Sequence, residues 1–255
     1  MVSQKRTVVF VPGGVNPAAI LYGQVVKLLG DEIDPILKDL ELYAHDAPPA
    51  DYSLKLEADG IGRAADAAAA QRFDLVGYSG GASCCLAFVA LHPERVRSLA
   101  VFEPAWIGPA VHPEDQQVWS EMQRAMTLPP QEQMEVFMRA HMRPGVPPPK
   151  PPAPDGPPPP WMARRPAGLK AMAGAFNTYR LDLDRLKLLE GPVYYGYGSL
   201  SSRYFEREGQ QLAGYFKDIQ LEEYAGRSHF DPPQRTEPER FANALRKLWE
   251  RAGAA

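Results

Sequence analysis

Short apolar runs and helical spacings alternate along most of the chain. Runs rich in β-branched, aromatic or other apolar residues predict strands at residues 7–14 (TVVFVPGG), 40–44 (LELYA), 73–78 (FDLVGY), 96–105 (VRSLAVFEPA), 192–198 (PVYYGYG) and 219–225 (IQLEEYA). Apolar residues at helical spacing, or unbroken small residues, predict helices at 17–29, 52–71, 80–92, 202–217 and 234–251. This repeated order predicts an α/β fold with a mostly parallel sheet that has helices on both faces.

The alternation breaks after the fourth predicted strand. Methionine and aromatic residues at helical spacing predict further helix within 113–142 and 166–189. We therefore predict an α/β core domain of residues 1–105 and 181–255, interrupted by a helical, proline-rich insertion of residues 106–180. Insertions of this kind often cover a site.

A proline tract lies in the middle of this insertion. Eleven of the chain's 27 prolines fall in residues 144–160, and this density forbids helix and sheet ladder and favours polyproline II. We expect the tract to pack as an ordered loop, with Trp106 and Trp161 seating proline rings. A plain spacer and a ligand for a polyproline-binding domain are the alternatives.

Composition restricts the partners and the compartment. The 255 residues carry a net charge of −3, which predicts no polybasic surface that would bind nucleic acid or anionic lipid. We therefore expect a small-molecule substrate. No apolar run reaches the roughly 18–20 residues needed to cross a bilayer. The opening MVSQKRTVVFVPGG has too short an apolar run for a signal peptide, so we expect a cytoplasmic protein. We expect it to be a monomer or a homodimer.

The only two cysteines, Cys84 and Cys85, are adjacent. Neighbours on a helix point about 100° apart and do not easily form a disulfide, and this spacing does not suit metal ligands. We therefore expect both thiols to pack within a helix, and we expect neither a metal nor a cofactor.

Gly77-Tyr78-Ser79-Gly80-Gly81 separates a predicted strand from a predicted helix, which is the context that the G-x-S-x-G nucleophile elbow requires. So sharp a reversal brings the backbone on either side of Ser79 close together, which favours glycine there. The turn lifts the serine hydroxyl out of the sheet, and the following amides lie at a helix N-terminus, where they stabilise negative charge. Ser79 is therefore the candidate nucleophile.

A serine hydroxyl needs a base, and the chain offers five histidines. His229 follows the last predicted strand, so its loop emerges at the same carboxyl edge of the sheet as Ser79. His45 fits a surface loop and His92 a helix end. We expect His112 and His141 to be solvated parts of the insertion, although either could touch a substrate. The candidate base is His229.

These motifs together resemble the α/β-hydrolase superfamily, specifically its esterase-like group with a serine nucleophile and a cap (lid) domain. The resemblance covers nearly the whole chain outside the insertion, and rests on VVFVPGG, GYSGG, HPERVRSLAVFEPA, GPVYYGYG, AGRSHF and PERFANAL. It implies an α/β-hydrolase fold with a catalytic triad. It also implies an oxyanion hole formed by the amides of Gly80 and Gly14, with Val15 as neighbour, although Pro12-Gly13 replaces the usual His-Gly pair.

The position of the triad's acid differs from the usual pattern of that family. Relatives carry an aspartate in the loop after the strand that follows the cap, whereas this chain reads YGYGSLSSRYFERE, with no carboxylate before Glu206. Glu103, at the end of the strand before the insertion, occupies a position that some members use instead. Two further hypotheses stay open: either Ser201 or Ser202 orients His229 through a neutral hydrogen bond, or the site is degenerate.

The resemblance implies a serine hydrolase that cleaves an ester, thioester, lactone or activated C–C bond through an acyl-enzyme on Ser79. We expect Tyr78, Trp106 and Val15 to contact the substrate. The side chains of eight residues of the insertion predict a mainly apolar acyl or alcohol group: Trp106, Met122, Met126, Phe137, Met138, Trp161, Met172 and Phe176. Most of them could equally form the core of the cap, and we expect this of more than half. The alternatives are a small-molecule binder that has lost efficient turnover, and an acyltransferase or cyclase of a biosynthetic pathway.

Overall fold

The sheet of the computed structural model, which describes residues 5–108, 112–149 and 157–253, has six parallel strands in the order β2-β1-β3-β4-β5-β6. The strands are β1 (Arg6–Val11), β2 (Ile33–Leu37), β3 (Phe73–Tyr78), β4 (Val96–Phe102), β5 (Val193–Gly198) and β6 (Ile219–Tyr224). The helices are α1 (Ala18–Leu29), α2 (Leu54–Ala67), α3 (Gly80–Leu91), α4 (Pro113–Ala125), α5 (Pro130–Ala140), α6 (Arg165–Thr178), α7 (Arg203–Leu212), α8 (Pro233–Thr236) and α9 (Pro238–Gly253). The predicted parallel sheet is confirmed.

Alternate residues of β1 show how the two faces of the sheet are covered. Val8 and Phe10 pack in one cluster with side chains of α1 and α9, whereas Val9 and Val11 pack in the other with side chains of α2 and α3. Helix α3 is buried along nearly its whole length, so Cys84 and Cys85 are free thiols inside the core, as expected. The sheet is therefore the middle layer of three, and the helices packed on both faces hold its carboxyl edge in place.

The predicted strand at 40–44 is wrong. The second strand is Ile33–Leu37, which pairs with β1 at the edge of the sheet, where Pro35 is tolerated. Residues Glu41–Tyr43 instead form a turn of 3₁₀ helix, because the buried Glu57 carboxylate accepts the backbone N–H groups of Glu41 and Leu42.

Helices α4, α5 and α6 occupy the chain between β4 and β5. The predicted helix at 113–142 is divided at Leu128-Pro129, and the one at 166–189 ends at Thr178 before a 3₁₀ turn, Leu183–Leu188. The centre of the proline tract, residues 150–156, lies outside the described residues. Within the described part of the chain, no helix is both long enough and apolar enough to span a bilayer.

Candidate active site

The turn from β3 into α3 holds Ser79 in a strained conformation, with φ of 53°. The glycines around it have no room for a side chain: a Cβ at Gly77 would lie 2.7 Å from Ala82 Cα, and one at Gly81 would overlap the Pro12 carbonyl. The crowding predicted for this turn is therefore present. It leaves the serine hydroxyl at the carboxyl edge, with the N-terminus of α3 directly behind it.

His229 reaches Ser79 from the loop that follows β6. Its Nε2 lies 3.0 Å from Ser79 Oγ. The loop is held on both sides of the ring: the Tyr78 hydroxyl donates to the His229 carbonyl, and the Ser228 N–H donates to Asp231 Oδ1 at 2.7 Å. Asp231 therefore shapes the loop, and the imidazole is presented to the serine.

Glu103 completes a hydrogen-bonded chain. Its Oε2 lies 2.8 Å from His229 Nδ1, and its Oε1 accepts the Gly198 N–H at 2.7 Å. Glu103, directly after β4, has φ of 44°, the second non-glycine residue of the site with positive φ. Of the candidates for the acid, this geometry matches Glu103. Ser202 instead caps α7, accepting the Tyr204 N–H at 3.3 Å.

Burial of the Glu103–His229 pair disfavours the charged form of each group. Burial raises the pKa of Glu103 to about 8, although the Gly198 N–H and the Ser201 hydroxyl both favour the carboxylate. Burial also lowers the pKa of His229, so its imidazole is neutral at neutral pH. The two groups share a hydrogen bond and titrate as a pair. With Glu103 ionised, Nδ1 donates to it and Nε2 is free to accept a proton.

The two predicted oxyanion-hole residues lie together beneath α6. Gly14 N is 3.9 Å from the position that a Cβ of Gly80 would take, and that position is blocked by Met172. A Cβ on Gly14 would lie 2.7 Å from Leu169 Cδ2. The insertion thus packs directly on the backbone of Gly14 and Gly80, whose amides are the predicted donors to the oxyanion.

Tyr43 fixes the carbonyl side of Gly14. Its hydroxyl donates to the Gly14 carbonyl oxygen at 2.5 Å, and its ring fills the space that a side chain on Gly168 of α6 would need. The guanidinium of Arg165, also on α6, lies 3.8 Å from the centre of the Tyr43 ring. Nothing in the sequence pattern indicated this role for Tyr43, because the contact joins three segments far apart in the chain.

A cavity of about 560 Å³ opens above Ser79. Its wall includes the predicted substrate contacts Tyr78 and Val15 and six of the insertion's predicted apolar side chains, Met122, Met126, Phe137, Met138, Met172 and Phe176. The predicted substrate contact of Trp106 is a correction, because Trp106 does not line this cavity. The backbone N–H of Trp106 donates to Ser83 Oγ at 3.0 Å. Its ring stacks on that of Phe176, with 5.7 Å between ring centres, on the side away from Ser79. Trp161 packs on Arg165, with 4.6 Å between ring centre and guanidinium.

His141 is also a correction, because it is 1% exposed and not solvated. Its ring lies in the cavity wall, 4.5 Å from the ring of His229. A signal was present: His141 follows Phe137 by four residues and so shares the apolar face of α5. The other three histidines are peripheral: His45 and His112 are exposed, and His92 ends α3.

Comparison with known proteins finds the same fold elsewhere. No family model and no curated protein sequence matches the chain. Among solved structures, a bacterial membrane phospholipase A has TM-score 0.72 at 18% identity, covering 99% of this chain and 81% of its own. MGS-M2, an α/β-hydrolase enzyme from a Medee basin deep-sea metagenome, has TM-score 0.71 at 12% identity (98% and 91% covered). A thermophilic esterase from Thermogutta terrifontis has TM-score 0.66 at 17% identity (97% and 90% covered). The chain has the α/β-hydrolase fold.

Proposed function

We propose that this protein is a serine hydrolase that cleaves esters of small, largely apolar acyl or alcohol groups through an acyl-enzyme on Ser79. The observation that carries the proposal is the continuous chain from Ser79 Oγ through His229 to Glu103, with links of 3.0 Å and 2.8 Å. Such a chain supplies the base that a serine hydroxyl needs to become a nucleophile.

The residues divide the reaction between them. Ser79 Oγ attacks the ester carbonyl while His229 Nε2 takes its proton, and Glu103 holds the opposite N–H and stabilises the imidazolium. The developing oxyanion accepts hydrogen bonds from the Gly80 and Gly14 amides, each such donor contributing roughly 3–4 kcal/mol in the transition state. His229 then gives its proton to the leaving alcohol. In the second half of the reaction His229 takes a proton from the water that attacks the acyl carbonyl, and it returns that proton to Ser79 Oγ as the acid product leaves.

The insertion, residues 106–180, acts as a cap in this proposal. Its methionine and phenylalanine side chains form most of the cavity wall, and thioether side chains adapt to chains of differing shape. This protein shares its fold with known esterases, which is consistent with the proposed function. The reason to consider a binding-only protein was the lack of an acid in the loop after β5. Because Glu103 hydrogen-bonds His229, that reason is weakened.

A panel of p-nitrophenyl esters tests the proposal. We expect kcat/KM to rise from acetyl through butanoyl to hexanoyl, because each added methylene buried in an apolar cavity stabilises the complex by about 0.8 kcal/mol. Ser79→Ala should abolish turnover, whereas Ser120→Ala, at an exposed serine of α4, should not change it. Hydrolysis that is no faster for hexanoyl than for acetyl would contradict the apolar substrate, and turnover by Ser79→Ala would contradict the nucleophile.

A further inference from the structure

His141 lies deep in the wall of the cavity, inside a group of aromatic rings. Its ring centre is 4.2 Å from that of Phe137, 5.5 Å from Phe230 and 5.7 Å from Phe205, and 4.5 Å from that of His229. The position is fixed by backbone contacts with the loop after β5, since the His141 carbonyl accepts the Ser202 N–H at 2.8 Å. A polar ring is thus held rigidly among apolar neighbours, next to the proposed base.

The hydrogen bonds of His141 determine which of its nitrogens carries the proton. Nδ1 lies 2.7 Å from the Phe137 carbonyl oxygen, which can only accept, so Nδ1 carries the hydrogen. Burial lowers the pKa of His141 well below its usual range, with a further contribution from His229, so the ring is neutral. Its Nε2 is therefore a hydrogen-bond acceptor. Among the described residues no donor is paired with that nitrogen.

Most other polar groups of the wall are bonded within the protein or exposed, whereas the half-buried Asn16 has no side-chain hydrogen bond among the described residues. Ser79 and His229 bond each other, and Gln123 Oε1 accepts from Asn177 Nδ2 at 2.8 Å. Asp231 accepts from Ser228, and Arg235 is exposed. His141 is the buried acceptor that a bound molecule would meet next to the reacting serine. Buried polar groups are nearly always hydrogen-bonded, so an unpaired acceptor on a residue of the cavity wall calls for a donor on the substrate.

We propose that His141 determines substrate specificity: its Nε2 accepts a hydrogen bond from a hydroxyl or N–H group of the substrate. This inference rests on the proposed ester hydrolysis and names its substrate class, namely esters that carry a hydrogen-bond donor close to the scissile bond. The donor lies near that bond because His141 is in van der Waals range of the base that contacts Ser79. The rest of the substrate is apolar, as the cavity requires.

Matched ester pairs test the inference and locate the donor. One pair, p-nitrophenyl hexanoate and p-nitrophenyl β-hydroxyhexanoate, places the donor on the acyl side. The second pair, ethyl hexanoate and hydroxyethyl hexanoate, places it on the alcohol side. The wild-type protein should prefer the hydroxylated member of at least one pair by about ten- to a hundredfold in kcat/KM, as a single buried hydrogen bond provides.

His141→Phe keeps an aromatic ring in the group but removes the acceptor, so it should abolish that preference. His141→Gln, which can accept through its amide oxygen, should keep part of it. His112→Phe, at an exposed histidine that begins α4, should leave the ratio unchanged. An equal preference in wild type and His141→Phe, or no preference in either pair, would overturn the inference.

Binding separates this inference from the proposed function. The acid products hexanoate and β-hydroxyhexanoate, and the alcohols ethanol and ethylene glycol, can be titrated calorimetrically into Ser79→Ala, with and without His141→Phe. Tighter binding of the hydroxylated ligand that His141→Phe abolishes supports the inference even if no ester is turned over. Equal binding within both pairs, alongside active ester hydrolysis, rejects the inference and leaves the hydrolase standing.

Discussion

The carboxyl edge of the sheet and the insertion form two sides of the same cavity, but they are held in different ways. At the sheet edge, backbone hydrogen bonds fix the strained residues: Ser79 N–H donates to the Phe102 carbonyl at 3.0 Å, and Glu103 N–H donates to the Gly196 carbonyl at 3.2 Å. The insertion joins the core through side chains, such as the Arg207–Asp115 ion pair at 2.9 Å, and through one short backbone bridge between Met142 and Ser201.

This difference separates two tasks. Positive φ at a non-glycine residue costs about 1–3 kcal/mol, and persists only where the surroundings over-determine it. The sheet edge meets that condition at both Ser79 and Glu103, and so holds reacting atoms in fixed positions. The insertion instead supplies thioether and phenyl surfaces that adapt to a substrate. We expect changes at the edge to reduce the rate of every substrate, and changes in the insertion to alter the choice among substrates.

The largest effect should come from Glu103→Gln. The glutamine carbonyl can still accept from Gly198, but its amide then faces His229 Nδ1 and forces the imidazole into the wrong tautomer. The corresponding change in a serine protease lowers kcat by about 10⁴, and we expect a loss of that order in steady-state hydrolysis of p-nitrophenyl hexanoate.

Glu206→Gln is the matched control for this variant. Glu206, in the first turn of α7, is the first carboxylate after β5, yet it pairs with Arg143 at 3.7 Å, so its replacement should have little effect. The pH profile adds a second readout. Wild-type kcat/KM should fall as pH drops through about 8, where Glu103 takes up a proton, and this limb should be missing in Glu103→Gln. Activity of Glu103→Gln within a few-fold of wild type would remove Glu103 from the mechanism.

A smaller effect should follow from Tyr43→Phe, which acts where the insertion meets the edge. The variant keeps the ring against Arg165 but loses the hydroxyl that holds the Gly14 carbonyl. Removing an oxyanion donor costs about 10²–10³ in kcat, and loosening one should cost less, so we expect about a tenfold lower kcat with KM nearly unchanged.

Tyr215→Phe, at a partly exposed tyrosine after α7, controls for the loss of a hydroxyl as such. If Tyr43 served only to pack α6 on the core, Tyr43→Phe would lower the thermal midpoint or leave the protein unchanged, without a selective loss of kcat.

The two regions also differ in how well the sequence predicts them. The elbow at Ser79 and the position of His229 follow from local patterns, because strand, glycine spacing and chain order determine where the carboxyl edge lies. Glu103 is one of several candidates at the level of sequence, since its pairing with His229 depends on two loops far apart in the chain. The edge strand Ile33–Leu37 was missed because Pro35 and its exposed side chains resemble a loop.

The packing of the insertion is harder to predict from the sequence than the turn at Ser79. Of the eight apolar side chains that the sequence singled out in the insertion, six line the cavity. Helical spacing could not show that Phe176 faces the cavity while Trp106 lies behind it, or that the loop after β5 buries His141. Those outcomes depend on how the helices pack on the core, and spacing within a single helix contains no information about its neighbours.

Whether Ser79 is an activated nucleophile can be read from intact-mass spectrometry after treatment with a fluorophosphonate. The serine would displace fluoride from phosphorus and form a stable adduct. We predict one adduct per chain in the wild-type protein and in Ser120→Ala, and none in Ser79→Ala. Folded wild-type protein that stays unlabelled, or Ser79→Ala that labels as fast as wild type, would contradict the assignment of Ser79.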